Sequence, residues 1–201
     1  PGNLHLYLGD VIRVTRDGVG SGAVVEEGDE GVVMEPARIA CTLPQVIDQA
    51  RIGERMWFDD GKIGGVIRDA TNEWLEVEIT QAREGGEKLI GDKGINLPDS
   101  ALDLPALTDK DLQDLAAVAR EADMVGLSFV QRTDDVYLLQ KHLGLLGRSD
   151  MGIVLKIETL KGFENLPELM LAAMSGACAG VMIARGDLAV EVGNAAVPAL
   201  Q

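Results

Sequence analysis

Residues 152–193, GIVLKIETLKGFENLPELMLAAMSGACAGVMIARGDLAVEVG, constrain the fold more than any other stretch. Two apolar runs, 153–157 and 180–184, read as buried strands, and one amphipathic helix around 166–174 lies between them. The first run closes on Lys156 and Glu158, the second on Arg185, Gly186 and Asp187. Chemistry in parallel α/β folds sits at such strand ends. The pattern points to a divalent-metal site that handles an anionic substrate.

The same rhythm runs back to the turn-rich segment 91–98. Thr108 reads as an N-cap with Asp111 in the capping-box position, followed by Leu112, Leu115, Ala116 and Ala119 on one helical face. A strand at 124–129 follows, then a helix capped by Thr133 with Val136, Leu139, Leu143 and Leu146 as its apolar stripe. Asn165 reads as the cap of the 166–174 helix, with Pro167 in its first turn. Strand ends recur at Phe129, Lys156 and Ala184, 27 and 28 residues apart. That is the spacing of βα units, in either a (β/α)₈ barrel or a doubly wound sheet. A full barrel takes roughly 250 residues, and three strands cannot close one. Either the chain is a piece of a longer protein or other segments supply the missing strands.

Residues 1–92 read as β, with short apolar runs between Gly and Asp turns and helical spacing only at 44–52. A small β-barrel or sandwich is expected. The run Gly18-Val19-Gly20-Ser21-Gly22 fits neither common phosphate-loop spacing and reads as a turn between strands such as Val24-Val25 and Val32-Val33. Asp59-Asp60-Gly61 reads as a hairpin turn or as a metal- or proton-handling loop. Met170 and Met174 are expected as core filler.

Among 201 residues, 18 basic against 33 acidic side chains give a net charge of −15. Such a surface argues against nucleic acid or an anionic membrane as partner. An anionic substrate then needs local positive help. No apolar run approaches the ~20 residues of a membrane span. No signal peptide is expected from the opening PGNLHLYLGD, and Cys41 and Cys178 show no paired spacing, so a reduced cytoplasmic setting is expected.

Lys156 and Glu158 stand two apart on an extended segment and therefore share a face. Asp187 comes from the neighbouring strand end. Two carboxylates suit Mg²⁺, which leaves positions for substrate oxygens and water, and a lysine beside it would stabilise developing negative charge. A structural ion pair, Lys156–Glu158 or Arg185–Glu158, fits the spacing equally well.

Beyond spacing, Lys156-Ile157-Glu158 followed by Val181-Met182-Ile183-Ala184-Arg185-Gly186-Asp187-Leu188 resembles the fifth- and sixth-strand signature of the pyruvate kinase family. Lys93-Gly94-Ile95-Asn96-Leu97-Pro98, Leu104-Pro105-Ala106-Leu107-Thr108-Asp109-Lys110-Asp111, Ser128-Phe129 and Phe58-Asp59-Asp60-Gly61-Lys62-Ile63 also match in order. The resemblance implies an α/β chain in which residues 1–92 form a small all-β lid and residues 93–201 form a partial (β/α)₈ TIM barrel, third helix to sixth strand. It implies that Glu158 and Asp187 hold Mg²⁺ or Mn²⁺, and that Lys156 stabilises the transferring phosphoryl group. Gly186 and Asp187 would contact the substrate carboxylate, and Lys93 and Asp60 the nucleotide. The implied reaction passes phosphate from phosphoenolpyruvate to ADP in glycolysis. A homo-oligomer is expected of the full-length protein, with K⁺ ligands outside this chain.

The departures are specific. No segment matches the family's early barrel strands or its threonine-bearing stretch after the sixth strand, and Thr159, Ala189 and Gly193 replace the usual residues. The chain alone is therefore expected to turn over little or nothing. Two rival readings are a Mg²⁺-dependent lyase or aldolase barrel, which would have no nucleotide to cover, and a non-catalytic scaffold or regulatory domain that keeps the motif as structure.

Overall fold

The computed structural model describes residues 3–16, 18, 20–25, 33–100, 102–193 and 195–200. Val19 and Val32 of the runs singled out above lie outside the described residues. The chain divides into two compact units, Pro1–Asp103 and Leu104–Gln201.

The first unit runs β1 (Asn3–Leu6), β2 (Val11–Thr15), β3 (Val24–Val25), β4 (Val33–Glu35), β5 (Ala37–Ala40), α1 (Gln45–Gln49), β6 (Arg55–Phe58), β7 (Ile63–Ala70), β8 (Trp74–Gln81), β9 (Glu87–Ile90) and β10 (Ile95–Asn96). Six of these form one sheet in the order β10-β6-β7-β8-β2-β5, antiparallel except where β2 meets β5. Period-two patterning drives it. In β8, Leu75, Val77 and Ile79 are fully buried while Trp74, Glu76 and Glu78 alternate with them. Ile12 and Val14 face Val77 and Leu75 across the register and are equally buried, each contributing about 1.5–3 kcal/mol. The one helix among the described residues of this unit, α1, falls where the sequence shows its one helical pattern and buries Val46 and Ile47. Ile95 and Asn96 pair with Phe58 and Trp57, which ties the turn-rich segment after residue 90 to this unit.

The second unit alternates: α2 (Asp109–Glu121), β11 (Met124–Leu127), α3 (Thr133–Leu145), β12 (Gly152–Ile157), α4 (Leu160–Glu164), α5 (Leu166–Ala173), β13 (Ala179–Ile183), α6 (Arg185–Val192) and α7 (Val197–Leu200). Its three strands are parallel in the order β11-β12-β13, with Lys156 opposite Met182 and Ile157 opposite Ile183. Leu139, Leu143, Leu155, Ile157 and Leu169 lie in its core. The Thr108 capping box forms as the sequence predicts, the Asp111 carboxylate accepting from the Thr108 N–H at 2.8 Å.

Five expectations need correction, the first being Leu146, expected in the apolar stripe of α3 but exposed as the residue that ends it. Thr133 is the first helical residue of α3, not its cap; Arg132 is the N-cap. The buried Asp135 carboxylate accepts from the N–H groups of Arg132 at 3.1 Å and of Gln131 and Ala106 at 3.3 Å. Asn165 makes no side-chain cap; its amide donates to the Gln131 carbonyl at 2.8 Å. Met170 and Met174 are exposed, because α5 turns Leu169, Ala172 and Ala173 inward. The run at 180–184 is largely open, because β13 has one neighbour and β12 has two. Among the described residues, no helix is long and apolar enough to cross a membrane.

Candidate functional site

In the second unit, β12 delivers the central pair. Leu155 and Ile157 anchor one face of the strand in the core, so Lys156 and Glu158 emerge together at its C-terminal end. Lys156 Nζ lies 2.7 Å from Glu158 Oε1 and donates to Ser128 Oγ at 2.8 Å. Ser128 follows the parallel neighbour β11, and Phe129 beside it holds φ at 51°. Glu158 is only 2% exposed, and its second oxygen, Oε2, is buried without a hydrogen-bond partner.

That orphaned oxygen bears on the metal question. A buried carboxylate oxygen without a partner is costly, and a hard cation is one group that satisfies it. Glu158 therefore fits a divalent ion as ligand. Asp187 sits in the first turn of α6, directly after β13, and no hydrogen bond or ion pair engages its side chain among the described residues. Those residues include no group of three or more His, Cys, Asp and Glu able to hold a metal ion; they offer single carboxylates at two strand ends. The first helical bond of α6 runs from the Leu188 N–H to Ala184 O at 3.0 Å, which leaves the N–H groups of Gly186 and Asp187 ahead of it. Arg185 does not pair with Glu158; Lys156 does.

In the first unit, Lys93 precedes β10 and its ammonium lies 2.8 Å from Asp59 Oδ1. Asp60 is exposed in the hairpin between β6 and β7. The buried member of that loop is Asp59, which also takes Lys62 Nζ at 2.9 Å. The Lys93 ammonium, and then the hydrogen bond from Lys62, hold the Asp59 carboxyl below the ordinary carboxylate range.

The structure thus joins Lys156 to Glu158 and Lys93 to the loop of Asp60. Sequence reasoning saw Ser128 only as part of a motif, and Asp59 only as part of a turn or metal- or proton-handling loop, not as a buried carboxylate between two lysines. The alternation through Met56 and Phe58 would turn Asp59 outward, but its φ of 50° breaks the period and turns it in.

A βα-repeat unit with a lysine and two acids at neighbouring strand ends, preceded in the chain by a β unit, places this protein among the α/β proteins. The chain belongs to the pyruvate kinase family: the family model described as pyruvate kinase, barrel domain, matches residues 10–201. It is 34% identical over 174 residues to a pyruvate kinase of Chlamydia trachomatis serovar L2, covering 86% of this chain and 33% of that protein. It is 33% identical over 171 residues to one of Geobacillus stearothermophilus, 85% and 28% respectively. It is 30% identical over 185 residues to one of Staphylococcus haemolyticus, 89% and 30% respectively. The chain therefore spans about a third of the length of the curated relatives it matches.

Proposed function

We propose that this chain carries the metal-binding and phosphoryl-stabilising part of a pyruvate kinase, which transfers phosphate from phosphoenolpyruvate to ADP in glycolysis. In this reading residues 1–92 act as the β lid and residues 93–201 as a segment of a (β/α)₈ barrel. The protein is cytoplasmic, the full-length form is a homo-oligomer, and ligands for K⁺ lie outside this chain. The single observation that carries the proposal is the buried, unpartnered Oε2 of Glu158 beside the Lys156 ammonium.

Glu158 and Asp187 would hold Mg²⁺ or Mn²⁺, which when bound supplies charge neutralisation at the substrate oxygens. Lys156 has three N–H donors. One meets Ser128 and one meets Glu158, so the third is free to meet a phosphoryl oxygen as its bond to the enol oxygen breaks. The same ammonium stabilises the enolate oxygen left behind. The N–H groups of Gly186 and Asp187 would donate to the substrate carboxylate at the start of α6, where anions are favoured. Lys93 would contact the ADP phosphates, and Asp60 would face the nucleotide with its metal. Positioning and charge complementarity do most of the work in such a transfer. Mg²⁺-dependent binding of oxalate, an enolate mimic, and its loss in Glu158→Gln test the proposal.

A further inference from the structure

The hairpin between β6 and β7 holds a buried carboxylate that this chemistry does not use. Asp59 is 5% exposed, and its two oxygens meet two ammoniums from separate segments: Lys62 in the hairpin and Lys93 ahead of β10. The backbone is fixed at the same point. Asp59, Asp60 and Gly61 hold φ at 50°, 56° and 82°. The Asp59 N–H donates to Gly94 O at 3.1 Å, and the Lys62 N–H donates to Asp59 O at 3.2 Å. A tight hairpin explains positive φ at Asp60 and Gly61. Asp59 adds a third left-handed residue, of the kind that persists where the surroundings over-determine it. Each lysine keeps donors beyond the one it gives Asp59, and the Lys62 and Lys93 side chains are 54% and 33% exposed.

We propose that Asp59 is a positioning residue that sets Lys62 and Lys93 as a paired-ammonium site for the diphosphate of a nucleotide, with Lys62 as a second phosphate contact. The inference rests on the reading of Lys93 as a nucleotide lysine and extends it. Asp60 and Glu87 act on Lys62 electrostatically, so the loop is no general anion trap. It favours a ligand that engages both ammoniums at once, as a diphosphate does and a single phosphate does not.

The test is titration of the purified chain with inorganic pyrophosphate and with inorganic phosphate, read by calorimetry and by the NMR signals of ¹³Cε-labelled lysines. Pyrophosphate is expected to bind more tightly than phosphate and to move the Lys62 and Lys93 signals together. Lys93→Met should weaken pyrophosphate binding about tenfold and Lys62→Met about threefold. Asp59→Asn should weaken it as well and lower the raised titration of the Lys62 ammonium, a change that loss of packing alone would not produce. Loss in Lys93→Met with no change in Lys62→Met or Asp59→Asn overturns the paired site and leaves the Lys93 reading standing. No change in Lys93→Met overturns both, as does an absence of pyrophosphate binding. Oxalate binding at Glu158 is read separately and tells whether the phosphoenolpyruvate side of the proposal fails with it.

Discussion

Lys156 Nζ sits 2.7 Å from Glu158 Oε1, and the two differ sharply in burial: Glu158 is 2% exposed, the lysine side chain 30%. The acid is thus a buried anion whose one charged partner reaches solvent. Lys156→Met removes that partner and should destabilise the chain by about 2–3 kcal/mol, toward the lower end for an orphaned buried charge because the lysine is partly open. Ser128→Ala removes only a hydroxyl acceptor and should cost about 1 kcal/mol or less. Urea unfolding of the two variants checks the order.

Asp135 closes the start of α3 by accepting from three backbone amides. Asp135→Ala orphans those amides in a partly buried setting and should cost about 2–3 kcal/mol. Thr133→Ala, at the neighbouring position, should cost about 0.5 kcal/mol or less. Paired thermal melts decide between them.

Gly65 lets β7 approach β8. A Cβ there would lie 2.4 Å from Val77 Cγ1 and 2.8 Å from the Glu78 carbonyl oxygen, and backbone cannot move aside as a flexible side-chain tip can. Gly65→Ala should destabilise the first unit by about 2 kcal/mol or more. Gly94→Ala, where an added Cβ meets nothing within 4 Å, should fall within about 0.5 kcal/mol of wild type.

Four carboxyls are held below their ordinary range: Asp48 by Arg16, Asp59 by Lys93 and Lys62, Asp99 by Arg55, and Asp111 by Thr108. A depressed folded-state value means that the unfolded chain takes up protons first. The stability from these groups is complete above the ordinary carboxylate value near pH 4 and drains away as pH falls below it. Denaturation midpoints should therefore be flat from about pH 6 to pH 5 and drop below about pH 4. Asp111→Asn should make the drop shallower.

Much of this arrangement is legible in the sequence, and the gaps have physical causes. The Thr108 cap depends on neighbours three residues apart, so local sequence encodes it. The Lys156–Glu158 pairing follows from the period of an extended strand. Asp135 could not be found the same way, since one of its donors is Ala106, on the far side of α2. Asp59 hides because positive φ breaks the alternation that Met56 and Phe58 establish. The openness of β13 depends on how many strands flank it, which composition does not reveal: the same apolar residues read as buried in either case. Ser128 looks ordinary in sequence, and its bond to Lys156 appears only when two parallel strands align.

The central claim is that Glu158 presents its free oxygen to a divalent ion beside Lys156. Its most direct test is calorimetric titration of oxalate into the purified chain with and without Mg²⁺, alongside Glu158→Gln. The account predicts binding that requires Mg²⁺ and disappears in the folded variant. Equal binding without Mg²⁺, binding that survives in folded Glu158→Gln, or no binding to the wild-type chain would contradict it.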